Sequence, residues 1–93
     1  MTAPRAGLVM LGLLLAGCSG MTATEPGPAC ADELHAANRE LEDARAAGFA
    51  GSIQWIKAAN LLAAAEVRRQ VEKYDSCLEK VRRARVFIRE AQK

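Results

Sequence analysis

The sequence predicts an all-α protein, a small antiparallel three-helix bundle (up-down-up) that follows an N-terminal leader and a flexible tether. Aromatic residues make up only 4% of the 93 residues and Ala is abundant, which suits close helix contacts better than a sheet. From residue 30 onward, apolar residues recur every three or four positions, the period of a helix face. A chain of this length holds one small domain at most.

The first helix is predicted from about residue 30 to 47. One apolar seam with intervals of 4, 3, 4, 3 and 4 residues runs along it: Cys30, Leu34, Ala37, Leu41, Ala44 and Gly48. Gly48 suits the C-terminus of this helix because glycine adopts the left-handed conformation without strain.

The second helix is predicted from about residue 53 to 72, with Ser52 as its N-cap. Two apolar stripes run along it. One stripe contains Ile53, Ile56, Ala63, Val67 and Val71, and the other contains Trp55, Ala58, Leu62 and Ala65. A helix with two apolar stripes is expected to have two neighbours, so this helix belongs between the other two or against a partner. Trp55 is expected to pack in the core rather than to anchor a partner.

The third helix is predicted from about residue 76 to 92, because Ser76 and Glu79 fit a capping box. Its apolar seam consists of Cys77, Val81, Ala84, Ile88 and Ala91, widened by Leu78 and Phe87. No Gly or Pro stands near Tyr74, however. An alternative therefore stays open, in which helix 1 packs on one long helix over 53–92.

Residues 1–17 have the pattern of a cleaved secretory signal peptide. Arg5 and the terminal amine give a positive start, and the eleven residues 6–16 (AGLVMLGLLLA) contain no polar side chain. A membrane span needs about 20 apolar residues, so this run is short for one. The alternatives are an N-terminal transmembrane anchor or a buried helix.

Leu15-Ala16-Gly17-Cys18 resembles the lipobox of bacterial lipoproteins. The resemblance implies cleavage before Cys18 and membrane attachment through acyl chains, including palmitate, on that cysteine. Residues 18–28 would then be a lipidated N-terminus and flexible tether, and residues 29–93 the helical domain. The residue after Cys18 is Ser19. In enterobacterial lipoproteins, Asp at this position favours retention in the inner membrane. By that analogy the protein lies on the periplasmic face of the outer membrane, with the inner membrane still possible.

Cys30 and Cys77 remain for the mature chain and are expected to form a disulfide, because that compartment is oxidising. In an up-down-up bundle both residues begin helices that point the same way, so they share one end of the bundle. Two free thiols or an intermolecular bridge are the alternatives.

The segment Tyr74-Asp75-Ser76-Cys77, with Val81 and Ala84, resembles the second helix of a tetratricopeptide repeat over about half a repeat. Glu72 stands where that family has a glycine. The resemblance implies a helical hairpin with a tight turn. It does not imply the family's peptide-binding function, since arrays need about three repeats.

Charge is distributed unevenly along the chain. Residues 19–47 contain six acids and two bases, a net charge of −4, whereas residues 66–93 contain five acids and nine bases, a net charge of +4. Helices 1 and 3 are therefore expected to attract each other. Alternatively, a basic stripe binds anionic envelope components. The stripe would consist of Arg82, Arg83, Arg85 and Arg89.

No constellation predicts catalysis, a cofactor or a metal site. His35 is the only histidine and is expected on the surface, and the net charge of +2 gives no argument for nucleic acid. The predicted role is structural, or an interaction with an unknown envelope protein. The lipobox, the helices and the terminal Lys93 also resemble Braun's type of lipoprotein. That resemblance implies attachment to peptidoglycan through Lys93, although the family's Tyr-Arg-Lys ending is Ala91-Gln92-Lys93 here.

Overall fold

The computed structural model describes residues 25–93, and these residues form three α-helices and no strand. The helices are α1 (Pro26–Ala46), α2 (Ile53–Gln70) and α3 (Tyr74–Ala91). The predicted all-α bundle is confirmed. A three-residue turn separates α2 from α3, so the alternative of one long helix over 53–92 is wrong.

The helix α1 begins at Pro26, earlier than the predicted start near residue 30. Proline suits the first turn of a helix, because its fixed φ is helical and the N–H that it lacks would have no partner there. Residues 26–28, assigned to the tether from the sequence, are thus helical. A Cβ on Gly27 would lie 3.3 Å from Cζ of Tyr74, so the start of α1 packs closely on the start of α3.

The turn between α1 and α2 follows the sequence prediction. Gly48 has a φ of 97°, and its N–H donates to the Arg45 carbonyl at 3.0 Å. The Phe49 N–H donates to the Ala44 carbonyl at 3.0 Å, which completes a Schellman motif. Ser52 is the N-cap of α2, since its Oγ accepts from the Trp55 N–H at 3.1 Å.

The turn between α2 and α3 has the same motif without a glycine. Glu72 has a φ of 60°, its N–H donates to the Arg69 carbonyl at 3.0 Å, and the Lys73 N–H donates to the Arg68 carbonyl at 2.8 Å.

The helix α3 begins two residues before the predicted position, and its N-cap is Lys73. The predicted capping box of Ser76 and Glu79 is therefore wrong. Ser76 lies inside the first turn, because the backbone bonds of the preceding turn bring the chain into the helix before Ser76 is reached.

The core is built from one face of each helix. The predicted seams of α1 and α3 are confirmed, except that Leu41 is only half-buried and Gly48 lies in the turn. The buried core residues are Cys30, Leu34, Ala37, Ala44, Ala58, Leu62, Ala65, Cys77, Val81, Ala84, Ile88 and Ala91. Six of the twelve are alanines, so the helices approach closely around a thin core.

Candidate functional site

A disulfide joins Cys30 and Cys77, as the sequence predicts. The two Cα atoms are 6.1 Å apart, and both residues are fully buried. Because Cys30 lies near the start of α1 and Cys77 near the start of α3, the bond joins the two helices at the same end of the bundle. The chain enters the bundle at this end.

A second link between α1 and α3 is ionic. The Arg85 guanidinium donates from Nε to Oε1 of Glu40 at 3.0 Å and from Nη1 to Oε2 of Glu33 at 2.8 Å. The hydrogen bonds to Glu40 raise the pKa of Arg85 above its ordinary value, although partial burial opposes this, and the charges of Glu40 and Glu33 add to the rise. These pairs supply the attraction between helices 1 and 3 that the charge distribution predicts.

The sequence contained a signal for these partners that the prediction did not use. Glu33 and Glu40 are seven residues apart, and each directly precedes a leucine of the α1 seam. Arg85 directly follows Ala84 of the α3 seam. In two parallel packed helices, residues that flank the seams in this way face each other.

The four arginines of the predicted basic stripe are not on one face of α3. Arg82 and Arg89 are two helical turns apart, share the outer face and are exposed. Arg83 lies on one flank, where its Nη1 is 3.5 Å from Oε2 of Glu79. Arg85 lies on the other flank, toward α1.

The outer face of α2 carries a row of exposed apolar side chains. We name this row the outer stripe, and it consists of Ile53, Ile56, Ala63, Val67 and Val71. Its four large members are 48–65% exposed, and the stripe lies on the opposite side of α2 from the buried Ala58, Leu62 and Ala65. The two predicted stripes of this helix are both present, but the described part of the chain covers only one of them.

Trp55 is a core residue rather than an exposed anchor. The indole is half-buried, and its Nε1–H donates to the Leu41 carbonyl of α1 at 3.0 Å. This bond ties the start of α2 to the last two turns of α1.

Lys93 lies at the opposite end of the bundle from Pro26. Parallel α1 and α3 separate the two residues by the length of the bundle, about 27 Å for an 18-residue helix. The Lys93 side chain is 73% exposed, and its Nζ is 3.2 Å from Oε1 of Glu90.

Within residues 25–93 the structure contains no assembled catalytic or metal-binding group. His35 is exposed and lines a shallow surface groove with Asn38, Arg39, Glu42 and Asp43, all from α1. No three His, Cys, Asp or Glu residues of this range lie where they could hold a metal ion. No helix in it is long and apolar enough to cross a membrane. Cys18 and the rest of the lipobox lie outside this range, so their role stays a prediction.

The chain matches no known protein family, no curated protein and no solved structure. The interpretation of these surfaces therefore depends on the residues and the geometry of this chain alone.

Proposed function

We propose that this protein is a lipid-anchored periplasmic helical protein with a structural or protein-interaction role in the bacterial cell envelope. Acyl chains on Cys18 hold it to the outer membrane, and the helical bundle presents a binding face on α2. The protein works without catalysis and without a cofactor.

The outer stripe of α2 is the observation that carries the proposal. Four large apolar side chains, each about half exposed or more, lie in one row on a domain of only three helices. A contiguous exposed apolar patch is a candidate interaction surface, and this row supplies one along a single helix face. The disulfide supports the assignment to an oxidising compartment, since such bonds are rare in the cytosol of mesophiles.

The anchor is tested by labelling cells with radioactive palmitate. We expect the full chain to incorporate label and to fractionate with the outer membrane, and Cys18→Ala to abolish both. Ser19→Ala, next to the acceptor, is the matched control and keeps its label. Unchanged labelling of Cys18→Ala, or an unlabelled wild-type chain, contradicts the anchor.

The interaction face is tested by photo-crosslinking in cells. A photoreactive residue at Val67, on the outer stripe, is expected to give a discrete crosslinked product that mass spectrometry identifies. The matched control is Val86, an apolar residue of α3 that is 46% exposed on another face. Equal products from both positions, or none from Val67, contradict a binding role for the stripe.

A second candidate function is a tether between the outer membrane and peptidoglycan. The observation that favours it is the position of Lys93, which lies at the far end of the bundle from the predicted anchor and is largely exposed. A tether requires the chain to remain on sacculi after boiling in detergent and to be released by muramidase. Deletion of Lys93 should abolish this retention.

A third candidate is a binder of anionic envelope components. It is favoured by the exposed pair Arg82 and Arg89 on the outer face of α3. Binding to vesicles that contain anionic lipid should weaken with salt and be lost in the double variant Arg82→Glu and Arg89→Glu. Arg83→Glu, on the flank, is the control and should weaken binding less.

A further inference from the structure

Together with Asn60, the outer stripe follows a heptad pattern over about two and a half heptads. With Ile53 at position a, the a positions are Ile53, Asn60 and Val67, the d positions are Ile56, Ala63 and Gln70, and Val71 falls at e. Branched residues at a favour two strands when Leu occupies d, and here no d residue is Leu. The dimer and its register therefore depend on Asn60, since one Asn at an a position specifies both at a cost in stability. Asn60 is exposed in the middle of the stripe, where a solitary chain gives it no packing role.

We propose that the outer stripe binds the same stripe of a second copy of this chain, with the two α2 helices parallel and in register. Each a or d residue then meets its own equivalent, so that Ile53 contacts the partner's Ile53 and Asn60 bonds to the partner's Asn60. The dimer rests on the function proposed above: the second copy is the partner of the interaction face, and both copies are anchored in the membrane through Cys18.

The rest of the chain is poorly suited to cover the stripe. Residues 1–24 of the printed sequence lie outside the described part, and the proposed cleavage would leave residues 18–24 of them on the chain. That segment has one large apolar residue, Met21, whereas the stripe extends along the whole of α2. We therefore assign the stripe to another molecule rather than to residues 18–24.

Charged residues at the edges of the stripe select the parallel arrangement. Lys57 and Arg68 lie along one edge, and Glu66 lies along the other. A two-fold axis along parallel helices brings the basic edge of one copy against the edge of the other that carries Glu66, whose carboxylate also accepts from Arg69 and Gln70 of its own helix. Antiparallel helices would place Lys57 opposite the partner's Arg68, and like charges repel.

The small area of the stripe makes the dimer dependent on the membrane. A standard interface has about 20–30 residues on each side, whereas one face of one helix offers far fewer. Two copies anchored in one leaflet are held at a high effective concentration, and their bundles point the same way. The anchor thus favours the same parallel arrangement as the heptads and the edge charges.

Cysteine cross-linking tests this arrangement in the full-length chain in membranes. Mild oxidation is expected to convert most of Ile53→Cys, and likewise most of Val67→Cys, into a disulfide-linked dimer. Val86→Cys, which is exposed to a similar degree on α3, is the matched control and stays monomeric. Cys30 and Cys77 are bonded to each other and buried, so they do not compete.

The position of the cysteine distinguishes the two orientations. In an antiparallel pair with Lys57 opposite the partner's Arg68, the two copies of residue 53 would be about 28 Å apart, and only residues near the centre, such as Ala63, could cross-link. Dimers from Ala63→Cys alone would therefore contradict the parallel arrangement. Equal cross-linking of Ile53→Cys and Val86→Cys, or monomeric Ile53→Cys in the membrane, would overturn the proposal.

Two further variants separate this proposal from the anchor on which it depends. Arg68→Glu in the Ile53→Cys chain should lower the dimer yield several-fold, and adding Glu66→Arg should restore it. Purified Ile53→Cys should also cross-link at high protein concentration when Cys18 is replaced by Ala. A chain that takes up palmitate but never cross-links refutes the dimer alone, and a chain that cross-links without taking up palmitate refutes the anchor alone.

Discussion

The two turns lie at opposite ends of the bundle and have the same backbone hydrogen bonds but different residues. At the turn between α1 and α2, glycine occupies the left-handed position, with a φ of 97°. At the turn between α2 and α3, Glu72 occupies it, with a φ of 60°. A residue with a Cβ is strained in this conformation by about 1–2 kcal/mol.

The end that tolerates the strain is the end with the disulfide. Cys77 is only five residues after Glu72, and its bond to Cys30 holds α3 against α1 whatever the turn contributes. The other end has no covalent link in the described chain. It is held by the glycine, by the Ser52 cap and by the Trp55 bond to Leu41. A covalent bond at one end of the bundle therefore leaves the local sequence there less constrained.

The largest effect is expected from removing the disulfide. The double variant Cys30→Ala and Cys77→Ala should lower the free energy of unfolding by about 4 kcal/mol, because the bond closes a long loop in the unfolded chain. Urea titration followed by circular dichroism measures the loss. Reducing agent should destabilise the wild-type chain to the same degree and leave the double variant unchanged. Equal free energies of unfolding for the wild-type chain and the double variant, both measured without reducing agent, would show that the disulfide does not dominate the stability of its end of the bundle.

Gly48→Ala is expected to lower the free energy of unfolding by about 1–2 kcal/mol, the cost of a Cβ in the left-handed conformation. A Cβ at Gly48 meets no atom within 4 Å, so the loss comes from the backbone alone. Gly51→Ala is the matched control, since Gly51 has equally open space without the left-handed φ. Thermal unfolding of both variants gives the difference, and equal stabilities would contradict the role of φ.

The two serines that the sequence offered as caps give a direct comparison. Ser52→Ala should lower the free energy of unfolding by about 1 kcal/mol, because its Oγ accepts the Trp55 N–H at 3.1 Å. Ser76→Ala should have almost no effect, since α3 is already helical at that residue. Urea midpoints of the two variants check this. A larger loss of stability for Ser76→Ala than for Ser52→Ala would support the capping box predicted from the sequence.

Those serines also show how far the sequence could predict the fold. The seams of α1 and α3, the disulfide and the Gly48 turn followed from spacing and residue type. The start of α3 did not, because a backbone motif with a strained Glu72 has no composition signal. The sequence likewise predicted two apolar stripes on α2 but could not say which one faces the core. Both have helical spacing, and only the packing of α1 and α3 against Ala58, Leu62 and Ala65 decides it.

The smallest effect is expected at the strained turn, and it has the opposite sign. Glu72→Gly should raise the free energy of unfolding by about 0.5–1 kcal/mol, because the relief of left-handed strain exceeds the extra entropy that glycine gives the unfolded chain. Glu72→Ala is the control, because it removes the carboxylate but keeps a Cβ in the left-handed conformation. It should give no gain in stability if the gain of Glu72→Gly comes from relief of the strain. We expect the same gain in the chain without the disulfide, since the strain is local to the turn. A gain that appears only when the disulfide is absent would instead mean that the bond between Cys30 and Cys77 already compensates for the turn.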